Sequence, residues 1–527
     1  MIEIDKHDIG RSLLQAARRF ADRPSLSAVD GRLTYRELFA TAASVSSQLI
    51  ASGLQPGDCV AVLGERTSRP YIGLLGAMLA GCCYVPLNPQ FPAERNRLIL
   101  ELSGARALII DDACAERFHG ALGSLDGVRV IRARPGGVEY AGGGMEAMDP
   151  DALLPRPAPG ADAPLYLLFT SGTTGKPKGV PISHANLASY MVAIHPHVPI
   201  GPEDRVLQAV DLTFDLSVHD MMLAWLNGAE LCVGPENATL LSPRLIAANA
   251  ITACLIVPSA GARALDYGLA PPGKMPSLRY SLFAGEALPV SVALQWQQAA
   301  PNARIFNLYG PTEGTIHTSY YVFDGNHLPP SKTVPIGYPL GEQRILLAHA
   351  DGTPASDGDT AEIFLAGPQM TRGYWRAPDL DRDRFVEFGD CRWYRTGDLG
   401  RLDPHHGILF AGRADRQLKI RGYRVELQEV EGTLRDVSGS NQVAVIGWPV
   451  VADGAADGIA AFIAGAPADA DAITAAMRVL LPVYMVPDTV LFVDTLPLNV
   501  NGKTDHRALA ERLSATAATP SIAPASA

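Results

Sequence analysis

Between residues 30 and 400 the chain alternates helix-period segments such as Thr34–Leu49 with short β-branched or apolar runs, among them Cys59–Leu63, Ala107–Ile110 and Ala253–Val257. A period near 3.6 lays apolar side chains along one stripe of a helix, whereas a short continuous apolar run suits a strand covered on both faces. Their alternation predicts α/β layers on mainly parallel sheets. At 527 residues and 47% hydrophobic content the chain can bury a large core, and its length suits about two to four domains.

The texture changes near Gly412, where the charged run GRADRQLKIRGYRVE opens a compact α+β pattern. The expected organisation is a large N-terminal domain of layered sheets and helices over 1–412, a small mobile α+β domain over 413–515, and a low-complexity, disordered tail over 516–527. The Gly-, Pro- and Ala-rich segment Gly136–Ala163 reads as a surface excursion ahead of a strand. A net charge of −11 argues against nucleic acid as a partner. The seven cysteines are odd in number and scattered without a CxxC pair, so neither a disulfide framework nor a zinc site is indicated, and a reducing cytoplasm fits best. Charges fill the first ten residues where an export signal needs an apolar run. The most apolar stretch, Tyr71–Leu87, is broken by Pro86 and reads as a buried helix running into a strand, not a membrane span.

Residues Leu165–Val180, LYLLFTSGTTGKPKGV, join an apolar strand to a loop suited to phosphate oxygens. Gly172 and Gly175 allow close backbone approach, Thr170, Ser171, Thr173 and Thr174 offer hydroxyls, and Lys176 and Lys178 add positive charge. The spacing is not that of a Walker A loop, and Pro177 stands where a magnesium-binding hydroxyl would be needed. Asn307–Glu313, NLYGPTE, reads as a tight turn after a strand, presenting an aromatic face, a hydroxyl and a carboxylate. In Tyr394–Asp398, YRTGD, a carboxylate ends a strand where it could accept hydrogen bonds from a ribose diol. Phe214–Val218, FDLSV, sets one carboxylate, Asp215, in an apolar strand-to-helix segment; partner to a buried cation and helix N-cap are its two readings. Leu496–Lys503, LPLNVNGK, delivers one long cation from a turn.

These motifs, with Leu33–Leu49, Tyr84–Leu100 and Gly412–Glu426, follow one another as in the ANL superfamily of adenylate-forming enzymes, which the chain resembles over nearly its whole length. The resemblance implies ATP and Mg²⁺ as cofactors, with Thr170–Lys176, Gly285, Asn307, Tyr309, Gly310, Thr312, Asp398 and Arg413 at the nucleotide. It puts Tyr309 over adenine, Thr312 on the α-phosphate, Glu313 on Mg²⁺ and Asp398 on the ribose. Lys503 would stabilise charge on the attacked phosphorus, a contribution typically about 10²–10³ in rate. Asp415 would be the hinge of the small domain, and Lys419 would face the second half-reaction.

By the same resemblance Asp215 pairs with a substrate α-ammonium, the mark of amino-acid-activating members, and Leu216, His219, Leu255, Leu282, Ala284, Leu308, Ile316 and His317 line the side-chain pocket. That lining is mostly aliphatic and implies a small or cyclic apolar amino acid, as in prolyl-AMP ligases; His219 and His317 depart from that pattern and could bond a hydroxyl or a carboxylate. The chain shows no Ser-centred carrier motif, so a separate phosphopantetheinylated carrier protein is the implied acceptor, as for free-standing nonribosomal peptide synthetase adenylation domains and D-alanine–carrier protein ligases. A small activator protein is compatible with the same layout. An acyl- or aryl-CoA ligase is the alternative within the superfamily, and a non-catalytic nucleotide binder the alternative outside catalysis.

Overall fold

The computed structural model describes residues 3–123, 125, 127–134, 137–140, 143–149, 156–172, 176–349, 351–356, 358–389, 391–414, 417–452, 455–465, 469–498 and 504–517. The chain separates into two compact units, residues 1–170 with 177–415, and residues 171–176 with 416–527.

Two large sheets dominate the first unit. One runs in the order Tyr338–Pro339, Ser319–Phe323, Arg304–Tyr309, Tyr280–Ala284, Ala253–Ile256, Arg205–Gln208, Glu230–Val233, Pro24–Ala28 and Gly31–Thr34. Its middle strands are parallel and its edges antiparallel. The other runs Lys178–Ser183, Pro164–Thr170, Cys83–Pro86, Cys59–Leu63, Ala107–Ile110, Arg129–Arg134, Gly137–Tyr140 and Gly143–Glu146. The continuous apolar runs are fully buried, all five residues of Cys59–Leu63 and all four of Ala107–Ile110 and Ala253–Ile256. This is the burial expected of parallel strands covered on both faces.

Helix Tyr35–Ala51 begins where the pattern put it, because Thr34 and Glu37 close a reciprocal capping box. The Tyr71–Leu87 stretch divides into helix Ser68–Leu79 and strand Cys83–Pro86. No helix among the described residues is long and apolar enough to cross a membrane. The glycine-rich segment after residue 136 is not simply an excursion. Gly137–Tyr140 and Gly143–Glu146 pair antiparallel and extend the second sheet, a role that glycine-rich strands do not announce by alternation. A third, antiparallel sheet of Arg344–Ala348, Thr360–Ala366, Cys391–Asp403, Phe385–Phe388 and Gly407–Arg413 completes the unit.

The second unit has two small sheets. Tyr423–Glu426, Gln417–Ile420, Ala455–Ala456 and Val450–Ala452 form one, and Val443–Gly447, Ile459–Ala464 and Thr489–Val493 the other. Helices Leu427–Ser438 and Ala470–Leu480 pack on them through a core that includes Val430, Leu434, Val445, Ala461 and Met477.

In the first unit, helix Ser68–Leu79 lies against helix Tyr35–Ala51 so closely that a Cβ on Gly76 would sit 2.5 Å from Val45 Cβ and 3.1 Å from the Ala42 carbonyl oxygen. Replacing glycine in a helix gains at most about 1 kcal/mol of propensity, and overpacking a fixed contact costs about 1–3 kcal/mol. Gly76→Val should therefore lower the midpoint of urea unfolding, and an unchanged midpoint would show that the two helices can separate at no cost.

Candidate active site

Parallel strands of an open α/β sheet deliver their C-terminal ends to one edge, where ligands bind. Here Leu255 pairs in register with Leu282, and Ala284 with Leu308, so four of the residues expected to line the pocket lie on adjacent strands. These four, with Leu216 and Ile316, are buried in one apolar cluster. Helix Asp215–Trp225 is buried along its whole length. Phe214 is its N-cap and Asp215 its first residue, which sets aside the N-cap reading of Asp215. Asp215 as a residue is 8% exposed. At a helix N-terminus the macrodipole favours an anion. Its charge reaches the Tyr84, Tyr166 and Tyr190 hydroxyls, whose pKa values are raised first by burial and further by Asp215.

One turn along the same helix, His219 meets a partner that the sequence did not mark. The Tyr190 hydroxyl lies 2.6 Å from His219 Nδ1 and 2.9 Å from His317 Nδ1. Both imidazoles are buried, and the Nε2 atom of each has no partner among the described residues. Burial lowers the His219 pKa to about 3 and holds that of His317 well below the ordinary histidine value, so both rings are neutral at pH 7. Tyr190 stands in helix His184–Ile194, 29 and 127 residues from the two histidines, and no local pattern could have found it.

Thr312, Glu313 and Gly314 form a 3-10 turn beyond strand Arg304–Tyr309. A Cβ on Gly310 would fall 2.6 Å from the Ile316 carbonyl oxygen and 2.7 Å from His317 Cα, so only glycine lets the turn fold back this tightly. Glu313 is fully buried. Its Oε1 accepts from the Tyr374 hydroxyl at 2.8 Å and lies 3.2 Å from the Lys178 ammonium. Lys178, read from sequence as part of the loop's positive charge, is thus Glu313's counter-ion. No three His, Cys, Asp or Glu side chains gather as a metal cluster among the described residues. Mg²⁺ commonly takes only one or two carboxylates and completes its octahedron with phosphate oxygens and water, so the Glu313 carboxylate fits as such a ligand.

Asp398 and Arg413 face each other across strands Cys391–Asp403 and Gly407–Arg413 and form a buried ion pair. The Tyr309 hydroxyl donates to the other Asp398 oxygen at 2.7 Å, and Arg413 also donates to the Thr396 carbonyl at 3.1 Å. Three predicted nucleotide residues are thus brought together. Asn307 instead spends its amide donors on the Val334 and Pro335 carbonyls, at 3.0 and 2.9 Å, and braces the strand. Gly285, at the end of strand Tyr280–Ala284, takes a φ of 89°, which favours glycine.

Of the loop, Thr170 ends its strand with a buried hydroxyl that has no partner among the described residues. Within the second unit, Ser171 Oγ donates to the Arg424 carbonyl at 2.8 Å and accepts from the Glu426 amide at 3.0 Å, and the Gly172 amide donates to Glu429 at 3.1 Å. Glu426 and Glu429 were not singled out in sequence. Lys176 is exposed, and Lys419 lies on strand Gln417–Ile420 opposite Arg424. Thr173, Thr174, Gly175, Asp415 and Lys503 lie outside the described residues.

Two predictions follow from the buried charges and rings. Removing one member of a buried ion pair costs about 3–5 kcal/mol because the survivor stays uncompensated. Lys178→Met should destabilise by that order, and adding Glu313→Gln should recover part of it in urea unfolding; equal loss in both would show that the pair carries no coupling. For the histidines, the folded pKa is depressed below the unfolded value near 6.5. Their contribution is unaffected above that value and is lost as pH falls below it, since only the unfolded state then takes the proton. Unfolding midpoints should fall from pH 7 to pH 5, less steeply in His219→Gln.

The family model for the AMP-binding enzyme matches residues 13–375, and that for the AMP-binding enzyme C-terminal domain matches residues 429–503. Phenyloxazoline synthase MbtB of Mycobacterium sp. (strain MCS) is 35% identical over 509 residues, covering 94% of this chain and 41% of the relative. The chain spans less than half the length of the curated relatives it matches. The crystal structure of the Vibrio cholerae adenylation domain AlmE in complex with glycyl-adenosine-5'-phosphate superposes with a TM-score of 0.86 at 29% identity, over 98% of each chain. Holo-PA1221, a nonribosomal peptide synthetase protein containing adenylation and carrier domains, superposes with a TM-score of 0.81 at 26% identity, over 97% of this chain and 85% of that one. With a large α/β unit, a smaller second unit and both family models in register, the chain belongs to the AMP-binding enzymes, within the ANL superfamily of adenylate-forming enzymes.

Proposed function

We propose that this enzyme activates the carboxylate of a small amino acid with ATP and passes the aminoacyl group to the phosphopantetheine thiol of a separate carrier protein. The observation that carries the reading is Asp215, a carboxylate buried at the first turn of a helix beside an aliphatic pocket. An α-ammonium group answers such a charge, and a fatty or aryl acid does not. In the first half-reaction the substrate carboxylate attacks the α-phosphorus and pyrophosphate leaves. In the second the thiol attacks the acyl carbon and AMP leaves.

Mg²⁺ would be held by Glu313, where it would neutralise charge on the phosphate oxygens. Tyr309, Asp398 and Arg413 are the nucleosidic contacts in this reading, with Asp398 taking the ribose diol. Thr170–Lys176 and Thr312 serve the phosphates, Lys503 the transition state, Asp415 the hinge and Lys419 the thioester step. Support for the substrate class comes from AlmE, whose structure holds a glycyl adenylate, and support for the acceptor from PA1221, which joins adenylation and carrier domains. The aliphatic lining limits the size of the side chain, which keeps glycine, alanine of either hand, proline and their small polar analogues as candidates.

The test is amino-acid-dependent exchange of labelled pyrophosphate into ATP, over proteinogenic, D- and cyclic amino acids together with aryl and fatty acids. Exchange with a small amino acid should fall about 10²–10³-fold in Asp215→Ala, the equivalent of losing one partner of a buried ion pair. Exchange only with acids that lack an α-amine would move the enzyme to the acyl- or aryl-CoA ligases.

A further inference from the structure

The hydroxyl of Tyr190 touches two imidazole nitrogens and has a single proton to give. It can donate to one Nδ1 and accept from the other. If it accepted from both, its own proton would be orphaned in a closed interior, at a cost of about 1–3 kcal/mol. The two distances match a division of roles. The 2.6 Å contact to His219 suits O–H···N, and the 2.9 Å contact to His317 suits N–H···O. His219 then carries its proton on Nε2, and His317 carries its own on Nδ1 with a bare Nε2.

The two outer nitrogens, both buried and unpartnered among the described residues, are therefore one donor and one acceptor. We infer that Tyr190 fixes His219 and His317 in opposite tautomers, and that the pair selects an amino acid whose side chain bears a neutral group that both accepts and donates, a hydroxyl above all. This inference rests on the reading of Asp215 as the α-ammonium partner. His219 follows Asp215 by four residues on one helix, which places it on the same face about 6 Å along the axis. A hydroxyl one or two carbons beyond the α-carbon is of a length to follow that rise while the α-ammonium sits at Asp215. A carboxylate brings no proton for the bare nitrogen of His317, and an ammonium group brings no lone pair for the N–H of His219. A hydrocarbon leaves both nitrogens unpaired, the situation in which a site built to bond a hydroxyl rejects its isostere.

Two measurements test this. Histidine ¹⁵N chemical shifts and long-range couplings at pH 7, with signals assigned by His219→Gln and His317→Gln, should show one Nε2–H and one Nδ1–H ring. Two identical tautomers, or a protonated ring, would overturn the inference whatever the substrate. In pyrophosphate exchange, serine or threonine should exceed 2-aminobutyrate or valine at least tenfold in kcat/KM. Aspartate should be rejected, and Tyr190→Phe should collapse the serine to 2-aminobutyrate ratio toward one, mainly through the KM for serine. A carboxamide side chain as the best substrate would keep the donor–acceptor pairing and reassign its source. Equal use of hydroxyl and hydrocarbon side chains would overturn the selectivity while leaving amino-acid activation intact. Exchange only with acids lacking an α-amine would instead overturn the reading beneath it.

Discussion

The buried pair of Lys178 and Glu313 ties together the two large sheets of the first unit. Lys178 begins the edge strand Lys178–Ser183 of one sheet, and Glu313 sits in the turn that follows strand Arg304–Tyr309 of the other. Neither charge could remain where it is without the other, because a lone ion in that interior would cost several kcal/mol. Tyr374 donates to the same carboxylate oxygen and also receives the lysine across its ring face, at 4.6 Å from the centroid. From this anchor the turn is held on its far side as well. Thr371 donates its amide to the Glu313 carbonyl at 2.8 Å, and Gln369 donates to the His317 carbonyl at 2.7 Å. Thr312, Ile316 and His317 owe their positions to that frame. The positive φ values of Thr315 and Ile316, 58° and 72°, are tolerated because both flanks are fixed.

The same frame constrains what Glu313 can do chemically. A carboxylate already compensated by an ammonium group keeps its charge inside the protein before any substrate arrives. A divalent cation held there, as proposed, would share the carboxylate with Lys178 and would draw its remaining ligands from phosphate oxygens and water. In the proposed reading, metal affinity would then depend on the presence of the nucleotide.

Much of this was legible in the chain. The strands that read as continuous apolar runs are the buried parallel ones, because burial on both faces leaves no polar alternation. The start of helix Tyr35–Ala51 and the turn at Gly310 could be read because their chemistry lies within a few neighbouring residues; Asp398, expected to end a strand, instead lies inside strand Cys391–Asp403, whose length is set by its antiparallel neighbours. The third sheet and the strands Gly137–Tyr140 and Gly143–Glu146 were not, since antiparallel edges owe their stability to partners instead of to their own pattern. The counter-ion role of Lys178, and the contacts of Tyr374 and Tyr190, escaped for a related reason. Each is defined by a group 29 to 196 residues away, and a tyrosine inside an apolar helix looks like any other core aromatic.

That separation bears on how selectivity is built. In the proposed reading, Leu255, Leu282, Ala284 and Leu308 would set the size of the pocket from strands whose register is fixed by backbone hydrogen bonds, so their contribution would be volume alone. Polar discrimination must come from groups whose protons are controlled, and an isolated imidazole controls nothing, since it can exchange tautomers at little cost. A pair that shares one hydroxyl cannot, because changing one ring obliges the other to change with it. The selectivity of such a site lies in the hydrogen-bond arithmetic of three residues, and substituting either histidine alone would free the other.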